Sequence, residues 1–318
     1  MRRAGRALTS PGIRQTFGRN GAEAIVQSSR LTQLRSRGAA ALARRGLLRR
    51  LRLEIAGRTA VSPVIGGAFC VPSEPFMVDL LSRILPAKPG LFVDVGVNLG
   101  QTLLAVKSID RSRAYLGFEP NPDCAYYAER LIAANGYDGC TIVPAGLSDR
   151  PGLAVLHRYA RSSFDSSASI VTEFRPGEPV LGTSVVPLCT FAQVVETGIP
   201  VQTGVVKIDV EGAELEVLRS MEGYFGSHAP WVIVEVLPPY RADNEQRVTR
   251  IKGIEALLDR CDYVMFRIEK DGGDGLAGLR RLDVFGIYDD VRMSDYVFVP
   301  RRDMPIFETT FPDRVVAR

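Results

Sequence analysis

From residue 90 onward, short apolar runs alternate with stretches whose apolar residues recur every three or four positions. The first kind suits buried strands, and the second suits helices that lay one face on a core. Strands are predicted at Leu91–Val95, Ala114–Phe118, Cys140–Ala145, Gly204–Val210, Trp231–Val236, Tyr263–Ile268 and Tyr296–Val299. Helices are expected after the first strand to about Lys107, and over Pro122–Asn135, Glu211–Met221 and Arg247–Arg260, with a helical turn at Phe191–Glu196. Leu153–Tyr159 and Ser184–Leu188 form a pair of short strands around a Ser-rich loop. Strands and helices in alternation predict a parallel sheet covered on both faces. Ligands of such sheets sit beyond the carboxyl ends of the strands, where strand order reverses.

The first 60 residues follow a different pattern. Residues 1–30 are rich in Gly, Ser and Arg without a period, and are expected to be flexible. Over residues 39–55, Leu42, Leu47, Leu48, Leu51 and Ile55 fall near helical spacing, interleaved with arginines. The first 60 residues hold fourteen arginines against Glu23 and Glu54, although the whole chain carries only +4. A basic, partly helical or flexible arm over 1–60 thus precedes an acidic domain over 61–318. The arm leaves three readings open: a solvated or loose segment, peripheral contact with an anionic membrane or acidic partner, and organellar targeting.

Composition removes several function classes. With 318 residues, 46% apolar and 24% charged, the chain has the mix of a globular protein. No run approaches the roughly 18 apolar residues that cross a membrane. The five cysteines are scattered and form no C-x-x-C pair, which argues against a disulfide framework and a structural zinc site. A reducing, cytoplasmic setting is expected.

The chemistry concentrates at two strand tips. Asp94-Val95-Gly96-Val97-Asn98-Leu99-Gly100 ends one strand and opens a helix, and Glu119 closes the next strand. Glycines let the backbone turn tightly and approach a ligand. Two flanking acids suit a ligand with hydroxyls and a positive charge better than a pyrophosphate. Glu119 is placed for the two hydroxyls of a ribose, and Asp94 for an amino or sulfonium group. The turn lacks the third glycine of the dinucleotide fingerprint G-x-G-x-x-G. The second tip is Lys207-Ile208-Asp209-Val210-Glu211-Gly212-Ala213-Glu214, with Glu211 and Glu214 expected on the first helical turn. Glu235 brings another carboxylate to the same rim.

The runs FVDVGVNLGQTLL, GFEPNP, VVKIDVEGAELEVLRSM, VIVEV and DYVFVP resemble, in order and spacing, the FkbM family of S-adenosylmethionine-dependent methyltransferases. The resemblance spans roughly residues 70–300. It implies an α/β, class I methyltransferase Rossmann-like doubly wound sheet with a reversed last strand, which Tyr296–Val299 would supply. It implies S-adenosylmethionine as cofactor, held by Asp94, Gly96, Asn98, Gly100 and Glu119, with Asp149 beside the adenine. The loop Ser166-Ser167-Ala168-Ser169 resembles a stretch that the family carries near its cleft.

The expected reaction is O-methylation of a sugar, glycan or secondary-metabolite hydroxyl on a small-molecule or glycan acceptor, without nucleic acid. Methylation of another atom or of a macromolecule, and a non-catalytic cofactor-binding module, are the alternatives. A carboxylate within about 3 Å of the acceptor hydroxyl would take its proton. Asp209 is the first choice for this role and Glu235 the second. The same pair leaves open a divalent cation such as magnesium, which two carboxylates alone do not specify.

Overall fold

The computed structural model describes residues 15–18, 21–27, 42–43, 45–72, 74–171, 177–199 and 202–316. The chain opens with a four-stranded sheet: β1 (Gln15–Gly18), β2 (Gly21–Gln27), β3 (Arg50–Ile55) and β4 (Arg58–Pro63), in that spatial order. The helix expected over 39–55 is corrected at Arg50–Ile55. There Leu51, Leu53 and Ile55 are buried while Arg50, Arg52 and Glu54 are not, which is the period-two pattern of a strand. Part of the expected helix, residues 39–41 and 44, lies outside the described residues, as does most of the segment before it.

The hairpin β3–β4 is anchored to the rest of the protein. Leu51, Leu53, Ile55 and Ala60 share one apolar cluster with Phe92, Leu103 and Leu104 of the main domain. Asn135 acts as a substitute strand for β4: Val61 N–H donates to its Oδ1, and its Nδ2 donates to Val61 O, both at 2.7 Å. The expected boundary at residue 60 therefore falls inside a hairpin that packs on the main core.

After helix α1 (Pro75–Ala87) the units alternate: β5 (Leu91–Val95), α2 (Gln101–Ile109), β6 (Tyr115–Phe118), α3 (Pro122–Asn135) and β7 (Cys140–Val143). A small sheet of β8 (Gly146–Leu147), β9 (Gly152–Arg158) and β10 (Gly182–Cys189) follows, then α4 (Phe191–Glu196). The order resumes with β11 (Thr203–Ile208), α5 (Glu214–His228), β12 (Trp231–Glu235), α6 (Glu245–Arg260), β13 (Tyr263–Lys270), β14 (Leu276–Leu282), β15 (Asp295–Pro300), α7 (Met304–Thr310) and β16 (Val315–Val316).

The central sheet runs β16-β14-β13-β15-β12-β11-β5-β6-β7. Strands β12, β11, β5, β6 and β7 are parallel, and β15 enters antiparallel between β12 and β13. This is the class I methyltransferase sheet with its reversed strand. Strand order turns outward in both directions from the β5–β11 pair, so a crevice opens at their carboxyl ends.

Alternation decides what each face carries. In β5, Leu91, Val93 and Val95 join the cluster under α5 and α6, while Phe92 joins the opposite cluster under α1 and α2. Val205 of β11, Trp231 and Ile233 of β12 and Val297 of β15 share the face of Phe92. Two-residue spacing carries Asp94, Lys207, Asp209, Glu235 and Asp295 to that same face, all toward one end of the sheet. The interior is apolar; its rim is not.

Leu53 is 2% exposed in the shared cluster. Leu53→Ala should lower unfolding stability by about 2–4 kcal/mol, measured by urea denaturation. A loss below about 1 kcal/mol would mean that the hairpin is only loosely attached.

Candidate functional site

The cleft sits at the carboxyl ends of β5, β6 and β11 and has a volume of about 660 Å³ counted to its open mouth. Gly96, Asn98, Glu119 and Asp209 line it, with Gly146 and Leu147 on one flank and Asp165, Ser166 and Ala168 on another.

Gly96 has φ +90°, and a Cβ there would lie 1.8 Å from the carbonyl oxygen of Asp209. Asp209 N–H donates to Val95 O at 2.9 Å, so the two strand ends touch backbone to backbone. Asn98 also takes a left-handed φ of 50°, and its N–H donates to Glu119 Oε2 at 2.7 Å. Asn121 N–H donates to Glu119 Oε1 at 2.8 Å. Each Glu119 oxygen is thus fixed by one amide and keeps a second lone pair. Burial pushes the Glu119 carboxyl up to about 7 against the pull of those two amides. Gly100, at φ +91°, precedes α2, and a Cβ there would crowd Leu131 at 2.7 Å. It does not line the cleft; its bareness serves the packing of α2 on α3.

Asp94 is fully buried. Tyr115 OH donates to its Oδ2, whereas Oδ1 accepts no hydrogen bond among the described residues and lies 3.9 Å from Lys207 Nζ. Burial pushes Asp94 up to about 6, with Lys207 and Tyr115 pulling the other way. An orphaned buried carboxylate oxygen is costly, and a ligand donor would relieve it.

Lys207 pairs across the sheet with Asp94 and donates to Asp209 Oδ2 at 3.0 Å. Burial opposes its charge, but Asp209, Asp94 and Glu74 outweigh it and hold the ammonium above the usual lysine range. Glu235 and Asp295 face each other across β12 and β15. Burial, then the charges of Asp209 and Asp295, push Glu235 up to about 9, and Ser294 Oγ donates to it at 3.2 Å. Lys270 Nζ lies 2.5 Å from Asp295 Oδ2. Glu74, just before α1, is pushed to about 7 by burial and by Asp295.

Asp149 is not brought to the cleft. Its carboxylate lies near Arg219 and Arg150 at 3.9 and 3.8 Å, while Gly146 and Leu147 of the same segment form the cleft wall. Glu211 is not helical: it has φ 52°, and α5 begins at Glu214. Glu214 instead turns back to accept Gly212 N–H at 2.7 Å. Among the described residues no group of three His, Cys, Asp or Glu side chains is arranged to hold a metal.

Three contributors went unassigned in the sequence. Lys207 was signalled by a charge inside an apolar strand, which demands a buried counter-charge. Asp165 was signalled by Asp-Ser-Ser, a pattern suited to local side-chain bonding to the backbone. Asp295 had no such signal, since only the strand pairing brings it to Glu235.

The model of the Methyltransferase FkbM domain matches residues 94–265, more than half of the chain. Among solved structures, the chain is similar to methyltransferase FkbM from Methylobacillus flagellatus KT, with 14% identity and a TM-score of 0.39, covering 66% of this chain and 43% of that one. It is also similar to precorrin-6y C5,15-methyltransferase from Geobacter metallireducens GS-15, with 11% identity and a TM-score of 0.35, covering 70% and 84%. A third is Aeropyrum pernix fibrillarin in complex with natively bound S-adenosyl-L-methionine, with 10% identity and a TM-score of 0.38, covering 78% and 92%. No curated protein matches the sequence.

Two glycines with left-handed φ separate clash from conformation. Gly96→Ala should cost several kcal/mol, because backbone meets backbone. Gly57→Ala, at φ +73° with nothing within 4 Å, should cost about 1–2 kcal/mol. Equal losses in denaturant unfolding would show that the β5–β11 contact yields readily.

Proposed function

The chain belongs to the FkbM methyltransferase family, and from that premise we propose that it methylates a hydroxyl of an uncharged sugar, glycan or secondary metabolite, using S-adenosylmethionine. The observation that carries this reading is a pair of carboxylates at neighbouring strand tips: Glu119 lines the cleft with each oxygen fixed by one amide, and Asp94 is buried behind Gly96 with one bare oxygen. Glu119 would hold the ribose hydroxyls, and Asp94 Oδ1 the ammonium of the methionine end. The backbone around Gly96 and Asn98 would lie against the ligand between them.

When bound, S-adenosylmethionine would supply a methyl group on a sulfonium for displacement by the acceptor oxygen, with the thioether as leaving group. The protein's part is to orient the acceptor and take its proton. Asp209 is partly exposed at the cleft, and Lys207 fixes its Oδ2, which leaves Oδ1 for the acceptor hydroxyl. Burial, then the charges of Asp209 and Asp295, push the Glu235 carboxyl up, which favours its neutral form and leaves Asp209 the better base. In that neutral form Glu235 is a hydrogen-bond donor toward the acceptor side. Among the described residues, Asp209 and Asp295 beside Glu74 and Glu235 give that side no cation left over for a phosphate, which favours a neutral polyhydroxyl acceptor.

Five free cysteines fit a reducing cytoplasm, and among the described residues no helix is long and apolar enough to cross a membrane. Contact of the basic arm with an anionic membrane remains part of the proposal; most of that arm lies outside the described residues.

Calorimetry should show S-adenosylmethionine binding and no NAD binding; the reverse result would overturn the assignment. Asp209→Asn should keep cofactor affinity within about threefold and lose at least about a hundredfold in turnover on a methylated acceptor. Unchanged turnover removes Asp209 as the base.

Affinity should also depend on pH. Glu119 is half protonated near pH 7 and Asp94 near pH 6, and a protonated carboxyl attracts a cationic ligand less. Lowering pH from 8.5 to 6 should therefore weaken cofactor binding, by at most about tenfold per unit for each group. A flat profile would separate these acids from the cofactor.

A further inference from the structure

The segment Tyr159–Ser169 roofs one side of the cleft, where Asp165, Ser166 and Ala168 line it. Asp165 makes it a unit. Its Oδ2 accepts Tyr159 N–H at 2.7 Å and Ala160 N–H at 2.8 Å, and its Oδ1 accepts Ser167 N–H at 2.9 Å and Ser167 Oγ at 2.6 Å. The far end is pinned where Ser169 Oγ donates to Glu211 O at 2.6 Å. The middle meets the α3 side of the cleft through Phe164, edge-on to Tyr127, and through one amide.

That amide is Asn121, which is buried and makes three unlike bonds. Its Oδ1 accepts Asp123 N–H at 3.1 Å and caps α3. Its own N–H holds Glu119 Oε1 at 2.8 Å, and its Nδ2 donates to Ser163 O in the roof at 2.8 Å. We infer that Asn121 is a positioning residue that fixes the Tyr159–Ser169 roof relative to Glu119, and so sets the shape of the cleft end that grips the adenosine.

The side-chain chemistry singles out asparagine. Asp, Ser and Thr also cap helices well. Capping uses an acceptor, whereas the roof needs a donor that reaches a backbone carbonyl. An ionised Asp has no donor, and Ser and Thr are too short to serve both partners. Asn alone among the good caps offers a carbonyl and an amide on one fork. The roof is therefore registered to the acid that would hold the ribose, through a single residue.

The inference rests on the cofactor assignment above, and its test keeps the two apart. Full-length Asn121→Ser retains a capping oxygen and adds no charge. It should keep Tm within about two degrees and weaken S-adenosylmethionine binding about five- to tenfold, the loss of one hydrogen bond. Trypsin should cut several-fold faster after Arg161, which is exposed in the roof.

Wild-type affinity together with wild-type cleavage at Arg161 would overturn the inference, as would weakened binding with unchanged cleavage. Asn121→Asp caps as well as Asn but cannot donate to Ser163 O. If it restored affinity and protease resistance together, Asn121 would be a helix cap and nothing more. A wild-type protein that binds no S-adenosylmethionine would sink the cofactor assignment, while the cleavage rates would still test the tether.

Discussion

The buried ammonium of Lys207 makes the centre of this sheet's rim tenable. Parallel pairing sets Lys207 beside Asp94, and two-residue spacing brings Asp209 to the same face. Fully buried carboxylates without a counter-charge take up protons rather than stay ionised. Lys207 lies 3.0 Å from one acid and 3.9 Å from the other, so it offsets both without satisfying either completely. One oxygen of Asp94 remains bare. That incompleteness is what a binding site needs and what a purely structural ion pair lacks.

The lysine also divides the rim in two. On the side of β5 and β6, Asp94 and Glu119 surround a tight backbone bend, and backbone amides hold the Glu119 oxygens. On the side of β12 and β15, Glu235 and Asp295 are opposed across an antiparallel pair, and burial, then neighbouring negative charge, pushes the Glu235 carboxyl up. Asp209 stands between them, with its backbone against Gly96 and its side chain on Lys207. Glu119 and Glu235 are thus both pushed above the usual carboxylate range, by burial first and by different neighbours after it.

Much of this was legible in the sequence. The buried strands were found within a few residues, because they are apolar on both faces and bounded by turn signals. The hairpin β3–β4 was not. Leu47, Leu48 and Leu51 mimic helical spacing, and only the pairing partners and Asn135 reveal the alternation of Leu51, Leu53 and Ile55. Strand β14, Leu-Ala-Gly-Leu-Arg-Arg-Leu, lacks β-branched residues and exists because β13 templates it. In the site, Asp94, Glu119 and Asp209 were visible as strand-tip acids. Asp149, expected beside the adenine from the family resemblance alone, does not line the cleft and lies near Arg150 and Arg219. Asp165 carries the Asp-Ser-Ser signal of local backbone bonding, whereas the importance of Asn121 lies in a distant backbone group it bonds, which no residue pattern displays.

The antiparallel strand β15 fills a slot between β12 and β13, although it is made after both. During synthesis the sheet must therefore wait, split into two unequal parts, until residue 300 has left the ribosome. Strand β12 meanwhile exposes a free backbone edge, with Trp231 and Ile233 flanking it. A nascent chain that stalls short of this point would present a sticky seam through the middle of the molecule rather than a frayed end. Chaperone dependence during translation would then trace to topology, not to weak packing.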